Sequence, residues 1–343
     1  MLGSVNTILK PCFNNHISKK ENKMHDTLFS QFQQIGIVPV VKIDDASKAE
    51  GLAQAMLDGG LPCAEITFRT DAAEEAIGRV TKAFPQMLVG AGTVTTVEFA
   101  KQAVAAGAQF IVSPGFNPTV VDWCIENSIP IVPGVCTPSD IEAGLSRGLS
   151  TLKFFPAEAS GGVNMLKNFA GPFPNLTFMP TGGISLANIT EYAKQANVLA
   201  VGGSWMVKSD LIEAEDWPAI TKLCSDAVSA IQGLEFAHVG INNESKEKAE
   251  KTIALLQSLG MVRRDGNSST FLDTTIEVMP IVFHGAMGHL GFRCISVERT
   301  IAYLATRGLT VNEKTVVKDA KGRIKSCYFN EDASGFAVHL VRA

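Results

Sequence analysis

Nowhere in this 343-residue sequence is there an apolar run approaching the roughly 18 to 20 residues that a membrane-spanning helix needs. A transmembrane protein is therefore not expected. The opening stretch, MLGSVNTILKPCFNNHISKKENK, has a proline, several asparagines and scattered lysines, but no continuous apolar centre of the kind a secretory signal requires. Cysteine forms no framework: there are seven, an odd number, and no pair has the close spacing of a zinc knuckle. That usage fits free thiols in a reducing, cytoplasmic setting. A block of positive charge is missing too. The net charge of −4 divides into +3 over residues 1–24, −10 over 25–235 and +3 over 236–343, and the acidic middle argues against nucleic-acid binding. What is present is an ordinary globular composition, 46% hydrophobic and 19% charged, which excludes disordered and collagen-like chains. The length favours two domains.

Residues 1–24 read as a disordered tail ahead of the first patterned segment. From about Ile35 short apolar runs alternate with helical patterns. The runs are GIVPVVK (36–42), CAEITF (63–68), MLVGAG (87–92), QFIVSPG (109–115), PIVPG (130–134), STLKFFP (150–156), LTFMPTGG (176–183) and VLAVGG (198–203). Alanine-rich segments such as SKAEGLAQAMLDGG (47–60) lie between them, with glycines where helix C-caps belong. Eight strand candidates, each followed by a helix, predict an α/β protein with a (β/α)8 TIM barrel over residues 25–233. A doubly wound open sheet is the competing arrangement; the count of eight favours the barrel. After Gly233 the composition shifts. FAHVGIN (236–242) is echoed by MGHLGFR (287–293), and TIALLQSLGM (252–261) by TIAYLATRGL (300–309). Residues 236–343 therefore read as a smaller α+β domain of two βαβββ units.

Alternate residues of a strand share a face, so in AEITFRT the side chains of Glu65, Thr67 and Arg69 point one way. Barrel interiors are normally filled by branched apolar residues, and an inward Glu and Arg are unusual there. In TLKFFP, Lys153 sits among Leu152, Phe154 and Phe155, where a loss of ammonium solvation favours a nucleophilic amine. A lone lysine can snorkel to solvent and a lone Glu–Arg pair can be an ordinary ion pair. Occurring together, at the ends of separate strands of one barrel, they point to chemistry. PTGGIS (180–185) and VGGSW (201–205) end the seventh and eighth strands, where barrels often bind phosphate through backbone N–H groups. In a third glycine turn, GAGTV (90–94), Thr93 is placed to meet a carboxylate.

AEITFRT, GAGTV, SPGFNP, LKFFPAEASGG, AGPF, PTGGIS and GGSW, in this order, resemble the class I aldolases that cleave 2-dehydro-3-deoxy-6-phosphogluconate and 4-hydroxy-2-oxoglutarate. The resemblance covers roughly residues 27–232. It implies that Lys153 forms a Schiff base with the 2-oxo carbon and that Glu65 transfers protons. It further implies that Arg69, Thr93 and Thr181 meet the substrate, and that Gly182, Gly183, Gly203 and Ser204 hold its phosphate. A small-molecule 2-oxo acid substrate, no cofactor for the aldolase and a homotrimer follow from the same resemblance. An aldolase for the galactonate epimer, and an inactive barrel acting as a ligand sensor or scaffold, are the alternatives. A phosphosugar isomerase would share the glycine turns but would not need Lys153.

HVGI opening a tandem βαβββ repeat resembles the vicinal-oxygen-chelate, or glyoxalase-like, superfamily. That resemblance implies one divalent metal held by His238, Glu277, His289 and His339, the last standing where the superfamily more often has Glu. Zn, Ni, Mn or Fe would suit such ligands. Oligomer contacts, a lid over the barrel mouth and small-ligand sensing are the other roles open to this segment.

Overall fold

The computed structural model describes residues 28–320 and 322–343, so the tail read over 1–24 lies outside the described residues. The first part of the chain is an α/β domain of TIM type, built on a curled parallel sheet. Its strands are β1 (Ile37–Val41), β2 (Cys63–Thr67), β3 (Leu88–Gly92), β4 (Ile111–Val112) and β5 (Ile131–Val132), followed by β6 (Gly134–Val135), β7 (Thr151–Phe154), β8 (Thr177–Phe178) and β9 (Val201–Gly203). One sheet runs β5-β4-β3-β2-β1-β9 and another β6-β7-β8. Pro133, which has no N–H, divides β5 from β6, yet its carbonyl still accepts from the Lys153 amide at 2.9 Å. Parallel bridges from Phe178 to Val198 and from Thr181 to Gly202 link β8 to the β9 side.

Alternation along these strands separates two cores. Val41, Ala64, Ile66, Val89, Ala91, Leu152 and Phe154 face outward and pack under the surrounding helices. Val38, Cys63, Leu88, Val112 and Val132 face the interior and cluster with Leu28 and Phe32. Residues 28–35 are helical, and Phe32 meets Phe110 edge-on with ring centroids 4.9 Å apart. This helix plugs the end of the ring at which the strands begin. Helix starts are capped as their sequences suggest. Thr96 accepts from the Phe99 amide, and Thr137 and Asp140 form a capping box behind Pro138.

The second part is mostly β-sheet. Its strands are β10 (Glu235–Asn242), β11 (Arg263–Asp265), β12 (Thr270–Leu272), β13 (Ile276–Met279), β14 (Gly288–Cys294), β15 (Val317–Lys318), β16 (Ile324–Ala333) and β17 (Phe336–Arg342). They form one sheet in the order β11-β12-β13-β10-β14-β17-β16-β15, whose two halves meet at the antiparallel pair β10–β14. Helices Lys246–Ser258 and Val297–Ala305 pack on one face, over Leu272 and Val278 in the first half and Cys294, Cys327 and Leu340 in the second.

The two parts meet at the end of the sheet where β1 begins. Arg299, only 5% exposed, donates from Nε to the Gln33 carbonyl at 3.0 Å and crowds Gly36, just ahead of β1. Burial pushes its guanidinium down to about 10, although Glu298 opposes the shift. The Thr300 hydroxyl donates to Gln232 Oε1 at 3.1 Å, at the end of helix Trp217–Gln232. These contacts lie at the end where β1 begins. A lid over the mouth of its own barrel, one of the roles open to residues 236–343, is therefore corrected: the segment docks at the opposite end.

Candidate active site

Glu65 and Lys153 meet inside the ring. Glu65 stands in the middle of β2 and Lys153 in β7, with side chains 1% and 6% exposed. Lys153 Nζ donates to Glu65 Oε1 at 3.1 Å, across 88 residues of sequence. Both emerge on the inward face because their outward neighbours, Ala64, Ile66, Leu152 and Phe154, are claimed by the helix layer. Glu65 Oε2 is buried and has no hydrogen-bond partner among the described residues. Leaving such an atom unmatched costs about 1–3 kcal/mol, more for a charged group, so the arrangement is not what stability alone would select. The Phe155 ring lies 5.4 Å from Lys153 Nζ and supplies apolar cover.

Glycine makes room for the pair. A Cβ on Gly92 would lie 2.2 Å from Glu65 Oε1 and 2.6 Å from its Cγ. The next residue, Thr93, has a φ of 57°, a left-handed conformation that a β-branched residue adopts only under constraint. On β2, Thr67 faces inward and donates to the Val41 carbonyl at 2.8 Å. Arg69 departs from the expected inward strand position. β2 ends at Thr67, and Arg69 is exposed in the turn beyond it, its Nε donating to Thr67 Oγ1 at 3.1 Å.

Thr181 is buried, and Gly202 lies so close that a Cβ there would meet Thr181 Oγ1 at 2.1 Å. The 181–202 bridge sets Gly182 and Gly183 beside Gly203 and Ser204, so all four end adjacent strands at one mouth. Gly182 and Gly183 have φ of 102° and 79°. A cavity of about 400 Å³ opens at this mouth, lined by Val40, Lys42, Arg69, Ser204, Trp205, Val207, Lys208 and Ser209. Phe155 entered the sequence reading only as apolar company for Lys153, and Lys42 and Lys208 escaped it. Lys42 was reachable by extending the inward beat of Val38 and Val40 by two more residues; Lys208 lies in no strand and left no such signal.

A second cluster is buried on the face of the C-terminal sheet opposite its helices. His238 Nε2 is 3.2 Å from both His289 Nε2 and His339 Nε2, and the three ligand atoms lie within 4.8 Å of one another. Glu277 Oε2 is 3.0 Å from His289 Nε2 and 3.3 Å from His238 Nε2. The register explains the convergence. Gly291 of β14 lies between His238 of β10 and His339 of β17, while Gly240 of β10 lies between His289 of β14 and Glu277 of β13. A Cβ on Gly240 would meet the His289 ring at 2.0 Å, and one on Gly291 would meet His238 at 2.5 Å and His339 at 2.7 Å. Burial holds His238 below its usual value and drives His339 down to about 3. Burial pushes Glu277 up, but hydrogen bonds from His289 and Ser269 outweigh it and leave the carboxyl below its usual value. Three imidazoles converging beside one carboxylate are a donor set that fits a divalent transition metal.

A curled parallel α/β sheet of TIM type that buries a lysine–carboxylate pair on its inner face suits a lysine-dependent lyase. The chain belongs to the family of KDPG and KHG aldolases, whose pattern it matches over residues 28–223. It is 45% identical over 205 residues to the 2-dehydro-3-deoxy-phosphogluconate aldolase of Treponema pallidum, covering 60% of this chain and 98% of that one. It is 43% identical over 192 residues to the KHG/KDPG aldolase of Escherichia coli K12, covering 56% of this chain and 90% of that one. Among solved structures it is similar to the KDPG aldolase of Legionella pneumophila, with a TM-score of 0.57 and 41% identity over 58% of this chain and 97% of that one. That crystal holds pyruvate captured as a covalent carbinolamine. Among the described residues no helix is long and apolar enough to cross a membrane.

Proposed function

We propose that residues 25–233 form a (β/α)8 barrel, its fifth strand split by Pro133, that acts as a class I aldolase. The substrate is 2-dehydro-3-deoxy-6-phosphogluconate, cleaved to pyruvate and glyceraldehyde 3-phosphate. 4-Hydroxy-2-oxoglutarate, giving pyruvate and glyoxylate, is the second substrate. The observation that carries this is the buried Lys153–Glu65 pair, 3.1 Å apart on the inner face of the strands.

The Lys153 amine adds to the 2-oxo carbon, and loss of water from the carbinolamine leaves a cationic imine. The imine withdraws electrons as the C3–C4 bond breaks, while Glu65 takes the C4 hydroxyl proton and the aldehyde departs. Glu65 returns a proton to C3 of the enamine, and water hydrolyses the imine to release pyruvate. Arg69, Thr93 and Thr181 orient the acid. The amides of Gly182, Gly183, Gly203 and Ser204 meet the phosphate. No metal is needed, because the imine is itself the electron sink. A homotrimer in the cytosol is the assembly and setting we infer from the family resemblance.

For residues 236–343 we propose a glyoxalase-like domain whose His238, His289, His339 and Glu277 hold a divalent metal. When bound, such an ion supplies Lewis acidity toward an oxygen ligand.

Pyruvate release coupled to lactate dehydrogenase tests the aldolase reading. The unaltered protein should turn over both substrates, and Lys153→Ala, checked for folding by circular dichroism, should lose at least about a thousandfold in kcat. Full activity in that variant would remove Lys153 from the chemistry.

A further inference from the structure

The cavity beside β1, β2 and β9 has a charge that the rest of the barrel does not share. Three of its lining residues are cationic, Lys42, Arg69 and Lys208, and none is acidic. They stand on a segment whose net charge is −10. Lys42 carries its own counter-ion outside the cavity, pairing with Asp44 at 2.7 Å. Lys208 has no acidic partner among the described residues and is exposed, between Val207 and Ser209. Strand register sets the geometry. Pro39 pairs with Gly203 and Val40 with Glu65, so the chain reaches Lys42 just beyond the mouth, with Ser204 on one side and Arg69 on the other. An uncompensated cation at a concave, partly walled mouth focuses its field on whatever anion enters.

Resting on the aldolase reading above, we propose that Lys208, assisted by Lys42, is the specificity-determining contact for the distal anion. Together they select a 2-oxo acid ending in a phosphate ester over a shorter one ending in a carboxylate. Backbone amides at the glycine turns recognise oxygen lone pairs on either group. The uncompensated Lys208 charge, with Lys42 shared between the anion and Asp44, distinguishes the nearly dianionic phosphate from the monoanionic carboxylate. The position suits the longer substrate: with C2 fixed at Lys153 inside the ring, the phosphate on C6 extends further toward the rim than a C5 carboxylate does. Lys208 thus acts on substrate choice, whereas Lys153 and Glu65 act on bond cleavage.

The test compares kcat/KM for 2-dehydro-3-deoxy-6-phosphogluconate and for 4-hydroxy-2-oxoglutarate in the full chain and in Lys208→Met, Lys42→Met and Lys208→Arg. The ratio of the two should fall by about tenfold or more in Lys208→Met, carried by KM for the phosphorylated substrate, and be restored largely by Lys208→Arg. Added salt should raise that KM more steeply in the unaltered protein than in Lys208→Met. An unchanged ratio, or an equal loss on both substrates, would overturn the assignment. Borohydride trapping with pyruvate, which has no distal anion, separates the two levels: no adduct in the unaltered protein would overturn the aldolase reading itself.

Discussion

Glu65 and Gly92 occupy adjoining space so closely that the glycine is part of the carboxylate's site. The 2.2 Å separation between a Cβ on Gly92 and Glu65 Oε1 forces a choice between moving the strand and moving the carboxylate. The side chain is the softer of the two. Gly92→Ala should therefore displace Glu65 from Lys153 and lower kcat by about a hundredfold or more, the scale at which a positioned acid–base group contributes. Pyruvate should still form an imine at Lys153 in this variant. Turnover matching that of the unaltered protein would show that the carboxylate is not held where proton transfer requires it. GAGTV looks in sequence like an ordinary strand-to-helix turn, and its glycines carry no mark of what they accommodate. The left-handed φ of Thr93 is invisible there for the same reason, since only glycine and asparagine advertise such a conformation.

At the level of the strand, two-residue periodicity made part of the aldolase site legible. In β2 it correctly sets Glu65 and Thr67 on one face and Ile66 on the other. It fails at Arg69, because the strand ends at Thr67 and periodicity does not announce its own last residue. In the C-terminal sheet, the set His238, Glu277, His289 and His339 came from the family resemblance, and the four residues stand on the first and fourth strands of each half. That the two central strands each contribute a glycine between a pair of ligands was not legible, since register between distant strands is a tertiary property. Gly291→Ala tests that arrangement, as its methyl would push His238 and His339 apart. The unaltered protein should bind about one zinc per chain, read by elemental analysis after dialysis, and should show a higher melting temperature with the metal than after chelation. Gly291→Ala should lose both effects. Retention of stoichiometric zinc by Gly291→Ala would contradict the convergence, and absence of zinc from the unaltered protein would remove the metal proposal.

Over the whole molecule, the lysine–carboxylate pair and the histidine cluster are set apart by the way the two parts dock. Arg299 and Thr300 hold the C-terminal sheet against Gln33 and Gln232, at the end of the barrel remote from Lys153. None of these contacts was readable in the sequence. They span up to 266 residues and depend on Gly36 leaving space for a guanidinium. The sequence places a break after Gly233, where the composition shifts and a repeat begins, and the helix Trp217–Gln232 ends there on a left-handed glycine. The central claim is that the barrel works through an imine at one lysine, and borohydride reduction in the presence of pyruvate, followed by peptide mass spectrometry, examines it most directly. A reduced pyruvate adduct on Lys153 alone is the predicted result. A folded protein with no adduct, or with its adduct on another lysine, would contradict the account.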